Sequence, residues 1–70
     1  MRQKYYVNDT PQSLTGDHEV HSITCIFYPF IYSKTYLGEF ENCHDAVREA
    51  KKKYPKSDGC INCSKACHNR

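Results

Sequence analysis

The chain has no tryptophan, and only 39% of its residues are hydrophobic. At 70 residues that leaves material for one thin core. Domains of this size bury only about 60% of their unfolded surface and commonly recruit disulfides or a structural metal. Long hydrophobic runs are also missing: the longest apolar stretch, Cys25 to Tyr32, is broken by Pro29 and is too short to span a bilayer. The opening Met1-Arg2-Gln3-Lys4-Tyr5-Tyr6 lacks the apolar segment of a secretory signal. The expected location is therefore the cytoplasm, with no membrane partner. Catalytic signatures are absent too. There is no glycine-rich phosphate loop and no serine nucleophile with a partner. His18-Glu19-Val20-His21 lacks the two-residue gap between Glu and the second His that the helical zinc-protease signature requires. The expectation is a protein that is not an enzyme and has no small-molecule substrate.

What the chain does have is cysteine: five residues, an odd number. In a reducing compartment clustered cysteines bind metal more often than they form disulfides, and a disulfide scheme would strand one thiol. All five are therefore expected as thiols. Two pairs carry ligand spacing: His21-x3-Cys25, and Cys60-x2-Cys63 preceded by Gly59. A Cys-x2-Cys turn converges two sulfurs on one point while backbone amides face them, and a glycine before it relieves crowding. Zinc takes four such ligands tetrahedrally, so one structural zinc on His21, Cys25, Cys60 and Cys63 is expected. On a continuous strand His21 and Cys25 would stand roughly 13 Å apart along the chain, beyond the reach of one ion, so the backbone must turn between them. Cys67 and His68 lie a short reach beyond Cys63 and are the substitute donors for His21. His18 and His44 are less suited by position. Cys43, at a helix start where the dipole lowers a thiol's pKa, reads as a small half-buried residue or as a reactive thiol.

Punctuation along the chain outlines an α+β domain, with a small antiparallel sheet, one main helix and a C-terminal Cys-x2-Cys knuckle. Lys4 to Val7 reads as an edge strand, and Asn8 to Asp17, with Pro11 and Gly16, as a loop. His18 to Phe27 is rich in β-branched and apolar residues, and Thr35 to Phe40 alternates as a second strong strand. Asn42 is a suitable N-cap, with Asp45 three residues on. Ala46, Val47, Ala50 and Tyr54 follow at helical spacing, and Pro55 stops the helix. Asp58-Gly59 reads as a turn that delivers Cys60. The single domain spans 1–70, with 1–3 and 69–70 expected to be disordered.

Charge is uneven. In residues 1–45 three cations face six carboxylates, a balance of −3, whereas residues 46–70 carry +5. Arg48, Lys51, Lys52, Lys53 and Lys56, with Lys65 and Arg70, form a candidate phosphate-contacting patch, and nucleic acid is the first expected partner class. Solvated helix lysines give the same pattern. The alternative is a protein partner engaged through Tyr28, Phe30, Ile31, Tyr32 and Tyr36, which serve equally well as core residues. A third reading is a thiol or metal sensor in which Cys43 or Cys67 exchanges with the zinc site.

His21-x3-Cys25, the strand ending at Phe40, the helix with Ala46 and Ala50, and Gly59-Cys60-x2-Cys63 together resemble the zinc-binding domain of the Ada DNA-repair family. The likeness covers roughly residues 18–63. It implies a structural zinc on the same four residues. In that family the first cysteine of the leading pair accepts a methyl group. Here His21 occupies that position, so the metal ligands carry over and the alkyl transfer does not. His18-Glu19-Val20-His21, Tyr36-Leu37-Gly38, Asp58-Gly59-Cys60 and Cys67-His68 also resemble a group of small uncharacterised bacterial proteins.

Overall fold

The computed structural model describes residues 2–13 and 15–68. Its elements run β1 (Gln3–Asn8), β2 (His18–Ser22), a 3₁₀ turn (Tyr28–Phe30), β3 (Lys34–Phe40), α1 (Cys43–Ala50), β4 (Ser57–Gly59) and a second 3₁₀ turn (Lys65–Cys67). This is the expected small α+β fold. Of the residues expected to be disordered, Met1, Asn69 and Arg70 lie outside the described residues, whereas Gln3 opens β1 and pairs with Phe40.

The sheet is mixed, in the order β3-β1-β2-β4. β1 pairs antiparallel with both neighbours, so it is a central strand and not the expected edge. β4 pairs parallel with β2, aligning Val20 with Gly59. The expected all-antiparallel sheet therefore fails at one edge. Asp58-Gly59, expected as a turn, is strand, because the chain crosses over through α1 before rejoining β2. Between β1 and β3 the register shifts at Tyr5/Tyr6, opposite Gly38. Gly38 has φ +125°, a conformation open to glycine and strained for other residues.

Strand alternation sorts the side chains onto two faces. Tyr5, Val7 and Val20 face α1 and pack with Cys43, Ala46, Ala50 and Cys67. Leu37, Phe40, Val47 and Tyr54 close the edges of this core. The helix forms for the expected reasons: the Asn42 side chain accepts from the Asp45 amide at 3.0 Å, and a further turn carries the chain to Lys53 before Pro55. On the opposite face Tyr6 pairs with His21 and Tyr36. The Tyr6 ring also meets Tyr28 of the connecting segment at 5.1 Å. At the far end of β1, Asp9 accepts from Ser33, Thr35 and Tyr54 at 2.9, 2.7 and 2.9 Å, tying the loop, β3 and the segment after α1 together.

Candidate metal centre

β2 and β4 run parallel and end side by side, and this brings the two ligand pairs together. Val20 aligns with Gly59, and the Cys60 amide donates to the Val20 carbonyl at 3.0 Å. Both strands then break into tight turns at the same end of the sheet. The strand expected to run on to Phe27 stops at Ser22, and the Cys25 amide closes back on the Ser22 carbonyl at 3.0 Å. The required turn between His21 and Cys25 is thus present. In the second turn the Ser64 amide donates to the Cys60 carbonyl at 2.9 Å. Gly59 is needed at its start. A Cβ there would stand 2.6 Å from the Cys67 Cβ and 2.7 Å from the Ser64 carbonyl oxygen.

The ligand atoms of His21, Cys25, Cys60 and Cys63 all lie within 4.8 Å of one another, so the group can hold a metal ion. Cys25 Sγ is 3.8 Å from Cys60 Sγ and 3.5 Å from His21 Nδ1, and Cys63 Sγ is 4.0 Å from His21 Nδ1. Tetrahedral zinc–sulfur and zinc–nitrogen bonds require edges of ~3.8 Å between sulfurs and ~3.6 Å from sulfur to nitrogen. These three separations are close to those edges, and the other donor pairs lie within 4.8 Å. Three of the four residues are buried, with Cys63 partly exposed.

The surroundings also suit thiolates. The Asn62 amide donates to Cys60 Sγ and the Ser22 amide to Cys63 Sγ, each at 3.4 Å. Nδ1 of His21 faces the sulfurs, while its Nε2 lies 3.7 Å from a Glu19 carboxylate oxygen. A carboxylate behind a metal-ligating imidazole fixes the ring and strengthens it as a donor. Burial pushes the Cys25 thiol up to about 12 despite the Phe27 amide. Burial likewise raises Cys60, against the amides of Cys63 and Asn62. Burial acts on Cys63 too, but His21, the Ser22 amide, Cys25 and Ser64 outweigh it and lower its pKa to about 6. Without a metal the cluster therefore favours one thiolate, on Cys63. A cation would supply the charge needed to ionise the other two.

The substitute donors are not brought to this centre. Cys67 is joined to Cys43 in a disulfide, contrary to the expectation of five thiols. The reason is tertiary: Cys43 in the first turn of α1 and Cys67 in the second 3₁₀ turn stand 6.3 Å apart at Cα, within the range a disulfide spans. Cys43 is accordingly a buried cross-link partner. His68 Nδ1 lies 3.1 Å from the Gly59 carbonyl oxygen and 3.4 Å from Asp58, turned to the backbone. His18 stacks on Tyr54 at 3.8 Å and contacts the Asn8 carbonyl. The sequence carries no local signal for the Cys43–Cys67 pairing, because 24 residues separate the partners.

The candidate phosphate-contacting residues are exposed, yet several are engaged within the chain. Arg48 pairs with Asp45 at 3.2 Å, and Lys52 with Glu49 at 3.0 Å. Lys53 donates to Thr35 and Lys56 to the Thr15 carbonyl. Arg70 lies outside the described residues. The aromatic group divides: Ile31 is buried and Tyr28 is half-buried against Tyr6, whereas Phe30 and Tyr32 are 82% and 101% exposed. Phe27, Phe30, Ile31, Tyr32 and Ile61 line a groove of about 570 Å³ that reaches Glu19 and His21. Among the described residues no helix is long and apolar enough to cross a membrane. No known protein family, curated protein or solved structure matches the chain.

Proposed function

We propose that the chain is a zinc-stabilised binding module, not an enzyme, in which His21, Cys25, Cys60 and Cys63 hold one structural zinc. The observation that carries this reading is the convergence of three sulfurs and one imidazole nitrogen within 4.8 Å of one another, with three of their separations at 3.5–4.0 Å. Three cysteines and a histidine suit zinc over harder cations, and four protein ligands fill its coordination sphere, the mark of a structural site and not a catalytic one. The order of the ligand pairs, shared with the resemblance to the Ada zinc domain, supports the same assignment. Native mass spectrometry before and after chelation tests it. One zinc per chain, with loss of the folded charge-state distribution on chelation, is the expected result. Folded, reduced protein that takes up no zinc would refute it.

For the partner, the surface favours protein over nucleic acid. Basic side chains on and after α1 are drawn into contacts within the chain, whereas Ile26, Phe30, Tyr32 and Ile61 are exposed. Exposed aromatic groups are characteristic interface anchors. A salt titration against mixed-sequence nucleic acid separates the two. Phosphate-driven binding would weaken steeply and linearly on a logarithmic salt scale, and such a result would restore the nucleic-acid reading.

A further inference from the structure

Cys43, His44 and Cys67 form a second donor group, whose ligand atoms also lie within 4.8 Å of one another. It stands apart from the four-donor centre, on the helix side of the sheet, where Cys43 and Cys67 join the core. Its sulfurs are joined in the disulfide, while His44 is exposed. An open cavity of about 450 Å³, lined by His44, Val47, Arg48, Lys51, Ala66 and Cys67, gives solvent a path to this corner. An inert structural disulfide needs neither an adjacent imidazole nor an opening to solvent.

We propose that Cys43, His44 and Cys67 are a second, redox-gated zinc site, closed as the disulfide and opened by reduction. The phosphorus of a phosphine reductant attacks one sulfur and displaces the other as a thiolate, breaking the S–S bond; one water then hydrolyses the phosphorus–sulfur bond, leaving two thiols and one phosphine oxide. Zinc then binds the two thiolates and a neutral imidazole nitrogen, releasing two protons, and water completes the tetrahedron. Two thiolates and one imidazole match a borderline-soft divalent ion. The resulting complex is electrically neutral, so the flanking Arg48 and Lys51 do not oppose it, whereas they would oppose a bare cation. In the reverse direction the two thiolates give two electrons to a low-molecular-weight disulfide, which takes up two protons and leaves as two thiols; the Cys43–Cys67 bond re-forms and the zinc is expelled. The α1 start and the C-terminal tail would thus stay joined in both redox states, by a covalent bond in one and by an ion in the other.

Native mass spectrometry of the full chain at micromolar free zinc, with and without a phosphine reductant, tests the proposal. Reduction is expected to add one zinc per chain, and oxidised glutathione to remove it. His44→Ala, an exposed substitution, should weaken only the added ion, by at least about tenfold, since even outer-shell partners of a metal ligand are worth that much. Cys43→Ser/Cys67→Ser should bind the same number of ions in both redox states. The readout is the difference between the two states, so it is independent of whether the four-donor centre takes an ion. No added zinc on reduction, an added zinc indifferent to His44→Ala, or full occupancy in the oxidised protein would each overturn the proposal.

Discussion

The four-donor centre and the Cys43–Cys67 corner both tie the C-terminal tail to an earlier element, yet they are assembled by different means. The first is built from two local pairs, each with its donors three or four residues apart, carried together by parallel strands that end in register. The second joins residues 24 apart whose meeting depends on α1 crossing the sheet. Local spacing announces itself in a sequence, but a tertiary meeting of two isolated cysteines does not. The two sites should also differ in energetics. Structural zinc contributes about 10–16 kcal/mol in small finger peptides, comparable to the whole stability of a domain. A disulfide closing a loop of this length restricts the unfolded chain by roughly 3–4 kcal/mol.

The largest effect should follow from breaking the first site. Cys60→Ser or Cys63→Ser removes a thiolate from the centre and is expected to abolish stable zinc binding and unfold at least the tail, seen as collapsed amide dispersion in the zinc-titrated protein. Equal damage from Cys43→Ser would erase the contrast. Breaking the second site should cost less. Cys67→Ser is expected to destabilise the oxidised protein by about 3–4 kcal/mol in denaturant melts, and the penalty relative to wild type should shrink once both are reduced without added zinc.

A third perturbation lies outside both clusters and serves as their reference. Burial alone would raise the pKa of Asp9, but the hydroxyls of Thr35, Tyr54 and Ser33 and the Lys53 ammonium hold it below the usual carboxylate value. A depressed folded-state pKa contributes stability above the unfolded value, and that contribution is lost as pH falls through the folded one. The difference between the melts of wild type and Asp9→Asn should therefore begin to shrink as pH falls below about 4, the ordinary carboxylate value, and go on shrinking through the lower folded-state value. At neutral pH the variant should lose about 1–2 kcal/mol, a range discounted for partial exposure, regardless of chelator or reductant. A chelator-dependent loss would mean that Asp9 acts through the four-donor centre. The smallest effect belongs to the helix cap. Asn42→Ala removes the bond to the Asp45 amide and should cost about 1 kcal/mol in denaturant melts. A larger loss in the oxidised protein than in the reduced one would show that the cap also positions Cys43.

Much of the fold was legible because its signals are local. Asn42, the Ala46/Ala50 spacing and Pro55 define the helix, and Tyr36 to Phe40 alternates as strand. The candidate ligands follow from spacing, and the turn between His21 and Cys25 follows from the reach of one ion. The rest depends on contacts that the sequence does not display. β4 has three residues, too few to show a period, so its parallel pairing with β2 is set by the crossover. Ile26 and Phe27 are apolar and look like a continuation of β2, yet they are exposed beyond the turn. The same apolar composition serves core and surface in this segment, as buried Ile31 and exposed Phe30 show side by side.

His21 is the fourth donor, which joins Cys25 in linking the end of β2 to the Cys60-x2-Cys63 turn. The direct measurement is a long-range proton–nitrogen spectrum of the zinc-loaded protein, followed across neutral pH. The expected result is that His21 Nδ1 carries the metal-bound shift and Nε2 keeps its proton toward Glu19, while His18 and His68 show no metal-bound shift. A metal-bound signature on His68 in place of His21 would contradict it.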